Sequence, residues 1–141
     1  SIVGPAGLLL TRVQCFKRNG ERSFAISDSA MNDLLRPALY NAEHKVLPCV
    51  LKSREEAGVF DLVGSVCETG DWLAKSQNFP VSKGDLLAIM DVGAYGFAMA
   101  SNYNSRPRSA EVLIESEGLP RLIRARESFA DLVSLETAYL S

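Results

Sequence analysis

Alternation of apolar and polar positions runs through most of the chain and predicts short β-strands. Residues 8–16 form an apolar-rich run in which one set of positions alternates with a more polar set. The dipeptide Asn19-Gly20 follows this run and predicts a tight hairpin turn into an antiparallel strand at 23–27. Further strand-like runs cover residues 45–52, 59–66, 85–92, 110–115 and 121–126. Such a series of short strands predicts a mainly β fold, either a Greek-key-like β-sandwich or a barrel.

Two segments show helical spacing instead. Residues 31–42 carry leucines and Tyr40 at helical spacing, but Pro37 cannot continue a regular helix, so a short helical insertion is expected. In the tail, Ser128 and Asp131 are spaced like a capping box, and apolar residues follow at helical spacing. This pattern predicts a C-terminal amphipathic helix. No interdomain linker interrupts the chain, so we expect a single domain over residues 1–141.

The composition is that of a folded domain. Hydrophobic residues make up 47% of the 141 residues and charged residues 23%, which is enough for one buried core. The formal net charge is −2, with no long run of either sign, so neither nucleic acid nor an anionic membrane is an expected partner. No apolar stretch reaches the roughly 20 residues that cross a bilayer.

The cysteines and the single histidine argue against a metal site. Cys15, Cys49 and Cys67 cannot all pair within one chain, and their spacings match no zinc module. His44 has no ligand cluster near it in the sequence, so we expect it to be structural. A reducing, cytoplasmic location fits three free thiols best. The chain begins with Ser rather than Met, which suggests a piece of a longer protein.

The dipeptide Cys67-Glu68 ends a predicted strand, where the thiol would reach a cleft. A carboxylate beside the thiol disfavours the thiolate, and a neutral thiol can donate a proton. The alternative is that Cys67 is a small buried hydrophobic residue, as most cysteines are. Cys15 and Cys49 lie mid-strand among apolar neighbours, and for these two we expect burial.

Two further clusters carry side chains that bind anions. Arg36 and Tyr40 are four residues apart and share a face if the chain there is helical, where together they would clamp a carboxylate. In Gly93-Ala94-Tyr95-Gly96 the glycines let the backbone approach a ligand, and Tyr95 offers a phenol to a phosphate or carboxylate. The alternatives are a solvated arginine beside a packed tyrosine and an ordinary glycine-bounded turn.

Four motifs, in the same order along the chain, resemble the carboxy-terminal part of the diaminopimelate decarboxylase family. They are residues 31–40 (MNDLLRPALY), 63–71 (VGSVCETGD), 93–96 (GAYG) and 101–107 (SNYNSRP). The resemblance covers nearly the whole chain. It implies a pyridoxal phosphate enzyme of the alanine-racemase-like fold, in which a (β/α)8 barrel carries the Schiff-base lysine and a β-domain completes the site. This chain resembles the β-domain, and the barrel is absent from it.

The resemblance also implies a role for each candidate residue. Cys67 matches the proton donor, and Glu68 matches a substrate contact. Arg36 and Tyr40 match contacts to the distal end of the substrate, while Tyr95 matches a contact to the cofactor phosphate and the substrate. In the family the cysteine and glutamate reach into the site of a partner subunit. The implied partners are therefore the barrel domain of the same enzyme and a second subunit in a head-to-tail homodimer.

The implied reaction converts meso-2,6-diaminopimelate to L-lysine and CO2, with this chain inactive on its own. Charge fits this substrate, because Arg36 at the distal end favours a carboxylate there, whereas ornithine would need acidic partners. A related amino-acid decarboxylase of the ornithine or arginine type is the alternative within the enzyme class. Outside that class, the alternative is a free-standing, non-catalytic β-domain used for binding or dimerisation.

Overall fold

Six strands of one mixed sheet make up most of residues 1–100 in the computed structural model, which describes residues 2–51 and 57–139. The strands are β1 (Leu9–Asn19), β2 (Arg22–Ser27), β3 (Val46–Pro48), β4 (Ala57–Val63), β5 (Trp72–Pro80) and β6 (Leu86–Ile89). Their order in the sheet is β3-β6-β1-β2-β4-β5. The edge strands β3 and β5 approach each other, so the sheet curls into a nearly closed barrel. The predicted mainly β architecture is confirmed.

One neighbouring pair in this sheet, β2 and β4, runs parallel, and the other pairs are antiparallel. A parallel pair needs a crossover connection. Here the crossover carries the short helix α1 (Arg36–Tyr40) and the strand β3. The predicted helical insertion is therefore confirmed, and it lies in the crossover.

The hairpin of β1 and β2 is confirmed, but its turn lies one residue later than predicted. Asn19 pairs with Arg22, so Gly20 and Glu21 are the two central residues of the turn. Gly20 has a φ of 59°, in the left-handed region that tight hairpin turns require. Asn19 instead ends the strand.

The strand β5 is not predicted by the pattern of apolar and polar residues. Its middle residues Lys75 and Ser76 are both exposed, so the alternation breaks there. Ser76 has a φ of 52°, and the pairing of β4 with β5 shifts register opposite this point. A β-bulge therefore interrupts the alternation of apolar and polar residues, and this strand cannot be recognised from that alternation.

The core fills the inside of the curled sheet. Its buried residues are Val13, Ala25, Leu34, Val46, Phe60, Leu62, Leu73, Leu87 and Ile89.

The expected burial of Cys15 and Cys49 is wrong, because both are exposed. β1 shifts register after Val13 and continues beyond the core as an exposed ribbon, and Cys49 follows the end of the short strand β3. Residue 52, the end of the strand predicted at 45–52, lies outside the described residues.

Residues 101–141 form a second unit, which contains the antiparallel hairpin of β7 (Glu111–Ile114) and β8 (Pro120–Arg124). The predicted capping box is present, because Ser128 and Asp131 bond reciprocally at the start of α2 (Phe129–Leu132). The predicted C-terminal helix is present and short, since α2 has four residues. Ser134 donates both its amide and its hydroxyl to the Asp131 carbonyl, three residues earlier. Its amide therefore does not continue the hydrogen-bond pattern of an α-helix, in which the acceptor lies four residues earlier.

A single domain over residues 1–141 stays a prediction, and the two units are distinct clusters of contacts. Across residues 2–51 and 57–139, no helix combines the length and the apolar character needed to cross a membrane.

Candidate functional site

Helix α1 presents two of the predicted site residues on one face. Pro37 occupies its first turn, where a missing N–H costs no hydrogen bond, and Asn41 ends it with a φ of 51° in the left-handed region. The guanidinium carbon of Arg36 lies 5.9 Å from the centre of the Tyr40 ring. The predicted shared face of Arg36 and Tyr40 is therefore confirmed.

Tyr95 lies in the loop that follows β6, and this loop is held against the N-terminal segment. The amide of Gly93 donates to the Gly4 carbonyl at 3.0 Å. A Cβ atom on Gly93 would lie 2.1 Å from the Val3 carbonyl oxygen, so only glycine permits this approach. Tyr95 itself has a φ of 59°, which is uncommon for a residue with a side chain. Backbone contacts therefore fix the loop that carries Tyr95.

Helix α1 and this loop bring three predicted site residues to one cleft, called here the Arg36 cleft. The guanidinium carbon of Arg36 lies 5.5 Å from the centre of the Tyr95 ring. The cleft has a volume of about 420 Å³ and is lined by Arg36, Tyr40, Tyr95 and Met99. Tyr40 is 61% exposed and Tyr95 is 60% exposed, so both phenols are accessible to a ligand. One guanidinium and two phenols supply the donors that suit a carboxylate or a phosphate.

Met99 is a lining residue that the sequence does not single out. It ends a 3-10 turn at Phe97–Met99, directly after Gly96. Its unbranched thioether gives the cleft an apolar side that can adapt to an aliphatic chain. No motif marks this position, because its role follows from the path of the loop.

Cys67 and Glu68 lie in the loop between β4 and β5, and both are exposed. The alternative of a buried Cys67 is therefore wrong. Among the described residues, these two do not line the Arg36 cleft. The structure thus brings the predicted substrate contacts Arg36, Tyr40 and Tyr95 together, and it does not bring Cys67 and Glu68 to the same cleft.

Asp71 is a buried carboxylate at the end of the same loop and is 4% exposed. One of its carboxylate oxygens accepts the Met31 amide at 2.7 Å, and the other accepts the Val66 amide at 2.8 Å. Its backbone carbonyl accepts the Gly64 amide at 3.1 Å. The sequence shows Asp71 only as the last residue of a polar motif, because nothing in that motif distinguishes a buried carboxylate from an exposed one.

A larger cleft, of about 600 Å³, contains none of the predicted site residues. Its lining includes His44, Lys75, Asp91 and Trp72. His44 Nδ1 lies 2.9 Å from the Met90 carbonyl oxygen, which supports a structural role for this histidine. The Arg36 cleft is the better candidate site, because three of the predicted site residues line it and none lines this larger cleft.

Asn102, in the polar motif at 101–107, takes part in a cluster of contacts within the second unit. Asn102 Nδ2 donates to Glu127 Oε2 at 2.6 Å, and the Arg108 amide donates to the same oxygen at 2.8 Å. The Arg108 guanidinium also pairs with the Glu127 carboxylate. The hydrogen bond from the Arg108 side chain, followed by those from its amide and from Asn102, lowers the pKa of Glu127 to about 2. Asn102 and Arg108, which precede β7, are therefore held against Glu127, which follows β8.

A family comparison identifies the sheet. Residues 2–93 match the family model of the pyridoxal-dependent decarboxylase, C-terminal sheet domain. The chain belongs to this family. The match covers β1 to β6, helix α1 and the Cys67 loop of this decarboxylase sheet domain.

Curated relatives extend the similarity over nearly the whole chain. The diaminopimelate decarboxylase of Aquifex aeolicus is 50% identical over 134 residues, which are 94% of this chain and 31% of the relative. The diaminopimelate decarboxylase of Vibrio cholerae is 48% identical over 138 residues, which are 97% of this chain and 32% of the relative. The chain therefore spans about a third of the length of these relatives.

A solved structure has the same fold. The crystal structure of diaminopimelate decarboxylase from Helicobacter pylori complexed with L-lysine is 43% identical and matches with a TM-score of 0.89. The match covers 99% of this chain and 34% of that chain. The β-domain that the sequence resemblance implies is confirmed.

Proposed function

We propose that this chain is the carboxy-terminal part of a diaminopimelate decarboxylase, which converts meso-2,6-diaminopimelate to L-lysine and CO2. The observation that carries the proposal is the position of Arg36, whose guanidinium lies over the rings of both Tyr40 and Tyr95 at one open cleft. Similarity to diaminopimelate decarboxylases over almost the whole chain supports the same substrate. The activity belongs to a longer protein, and we expect this chain alone to be inactive.

The donors of the Arg36 cleft match one end of this substrate. Diaminopimelate carries a carboxylate and an ammonium at the end that is not decarboxylated. Arg36 binds the distal carboxylate through its N–H groups, and Tyr40 on the same face donates a further hydrogen bond. The tail of ornithine ends in an amine alone, so it gains nothing from this arginine. The charge of the cleft therefore favours a substrate with a distal carboxylate.

Pyridoxal phosphate is the cofactor that the family description implies. The donors at the cleft fit its phosphate, because the exposed phenol of Tyr95 can donate a hydrogen bond to an anionic oxygen. When bound, this cofactor supplies the electron sink that takes up the electron pair left by the departing CO2. In this proposal the lysine that holds the cofactor lies in the barrel domain, outside this chain.

Cys67 donates the proton that replaces the lost carboxyl group. Its Sγ–H gives the proton to the substrate carbon that has lost CO2, and the thiolate then regains a proton from solvent. Glu68 binds the distal ammonium of the substrate. Both residues are exposed and lie outside the lining of the Arg36 cleft, which supports their acting in the site of a partner subunit, in a head-to-tail homodimer.

Steady-state kinetics of the full-length enzyme test the proposal. We expect kcat/KM to be highest for diaminopimelate and much lower for ornithine, arginine and lysine. The Arg36→Ala variant removes a charge-assisted contact of about 1.5 to 3 kcal/mol, so kcat/KM for diaminopimelate falls about tenfold to a hundredfold. Arg18→Ala, at the exposed end of the β1–β2 hairpin, is the matched control and leaves kcat/KM unchanged. A preference for ornithine or arginine, or an unaltered Arg36→Ala enzyme, contradicts the proposed substrate.

A mixing experiment tests the shared site. If each site takes Arg36 from one subunit and Cys67 from its partner, a heterodimer of Arg36→Ala and Cys67→Ala subunits has one site with both residues intact. We therefore expect activity to rise when the two variants are unfolded, mixed and refolded together. Absence of any gain, with heterodimers demonstrated by native mass spectrometry, rules out sharing between subunits.

A further inference from the structure

We infer that Asp71 is a positioning residue for Cys67, holding the proton-donor loop in its working place; this rests on the proposed function. The loop spans residues 64–71, and its exposed part contains Cys67 and Glu68. Asp71 is 4% exposed and lies at the end of the loop. It does not donate the proton, and it acts through the backbone of the loop.

The two oxygens of Asp71 join segments that are distant in the sequence. One oxygen accepts the Val66 amide at 2.8 Å, next to Cys67, and the other accepts the Met31 amide at 2.7 Å. A carboxylate accepts hydrogen bonds at both oxygens, and bonds to a charged acceptor are stronger than those between neutral groups. In the Asp71→Asn variant one of these oxygens is replaced by an NH2 group, which would face a backbone donor. An aspartate is therefore required here, because an asparagine leaves one buried amide without an acceptor.

The residues beside the two ends of this bridge differ in exposure. Val66 is 7% exposed and Met31 is half-buried, and Ala30 and Leu34 near Met31 are fully buried. Residues 67–70, which follow Val66, are all exposed. A Cβ atom on Gly64 would lie 2.4 Å from the Asp71 carboxylate and 2.5 Å from the Ala30 Cα, so the two segments meet at atomic contact. When the bridge is weakened, we expect residues 67–70 to move more than residues 29–34, because buried residues lie throughout 29–34 and none lies within 67–70.

The decisive test is a double-mutant cycle in the full-length enzyme with Asp71→Asn and Cys67→Ala. Misplacing a catalytic group by about 1 Å costs up to roughly a hundredfold in rate, so we expect Asp71→Asn alone to lower kcat about tenfold to a hundredfold. In the Cys67→Ala background there is no donor left to misplace. We therefore expect the double variant to match Cys67→Ala within about twofold. A purely structural role would instead multiply the two losses.

A matched control separates this effect from the loss of any buried carboxylate. Asp61 is also buried, but it lies on β4, and its oxygens accept hydrogen bonds from the Ser76 amide and the Arg22 guanidinium, both at 2.8 Å, rather than from the Cys67 loop. We expect Asp61→Asn to lower the melting temperature without the selective loss of kcat. If Asp61→Asn and Asp71→Asn lower kcat equally, the inference is overturned.

Hydrogen exchange gives a readout that does not depend on activity. In the wild-type enzyme the amides of Val66 and Met31 should be protected, and in Asp71→Asn the peptide covering 64–72 should exchange faster than the peptide covering 29–34. Unprotected amides in the wild type overturn the inference even if the variant does not fold.

If Cys67→Ala retains wild-type kcat, the proposed donor fails. If Cys67→Ala is impaired but the cycle is additive, only the role of Asp71 fails.

Discussion

The guanidinium carbon of Arg36 lies 5.5 Å from the centre of the Tyr95 ring, although the two residues belong to distant parts of the chain. A cation over an aromatic face is attracted by about 0.5 to 1 kcal/mol at an exposed site. This contact uses none of the hydrogen-bond donors of the guanidinium, so they stay available to an anion. Arg36 and Tyr95 therefore orient each other without reducing what either can offer to a ligand.

Replacing Cys67 by alanine in the full-length enzyme should lower kcat by about 10²-fold to 10⁴-fold, because a positioned acid is lost. Cofactor binding should survive, because in the proposed function the cofactor phosphate is bound by Tyr95 and not by Cys67. Release of CO2 and formation of lysine are measured in parallel, together with cofactor absorbance. Cys15→Ala is the matched control, because Cys15 is also exposed but lies on β1. An unchanged kcat for Cys67→Ala would show that another group donates the proton.

Replacing Gly93 by alanine should destabilise the protein by about 1 to 3 kcal/mol, because overpacking forces the backbone to move. The added Cβ atom would meet the Val3 carbonyl oxygen at 2.1 Å. Since this loop carries Tyr95, the KM for diaminopimelate should rise as well. Denaturant unfolding and steady-state kinetics measure the two effects. Gly58→Ala is the control, because nothing lies within 4 Å of its added Cβ atom, and wild-type stability in both variants would contradict the prediction.

Short-range features of the site are readable from the sequence, and long-range ones are not. The shared face of Arg36 and Tyr40 follows from a spacing of four residues, which any helical turn converts into a contact. The approach of Tyr95 to Arg36 depends instead on how β6 and the crossover are placed in the sheet. The family resemblance grouped these residues, but no local pattern gives their distance.

The strand β5 that the sequence did not predict and the wrongly assigned burial of single residues have similar causes. The bulge at Ser76 breaks the alternation on which strand prediction depends, so β5 escapes notice. Cys15 has apolar neighbours, yet it is exposed because β1 extends beyond the core. Asp71 is polar, yet it is buried because two backbone amides from separate segments converge on it. In each case the environment is created by distant residues.

Acid should weaken the second unit through Glu127, whose pKa is lowered from 4.5 to about 2, chiefly by the hydrogen bond from the Arg108 side chain. A carboxyl with a depressed pKa in the folded state contributes stability that is complete above the unfolded value of 4.5. This contribution is lost as the pH falls towards about 2. Glu127→Gln should therefore lower the melting temperature at neutral pH and weaken its dependence on pH in this interval.

Circular dichroism melts of wild type and Glu127→Gln across this pH interval measure the effect. Glu117→Gln serves as the control, because Glu117 is an exposed glutamate in the connection between β7 and β8. Parallel pH profiles for wild type and Glu127→Gln would mean that the pair with Arg108 adds no stability.

The parallel pairing of β2 with β4 is a non-local contact that the chain must form when it folds. Strands that neighbour each other in sequence can close early, as β1 and β2 do through a two-residue turn. Phe24 can pair with Asp61 only after the whole crossover has been closed into a loop, which is a slower, non-local event. Helix α1, which begins at Arg36, lies in that crossover. We therefore expect Arg36 to reach its place after the first hairpin has formed.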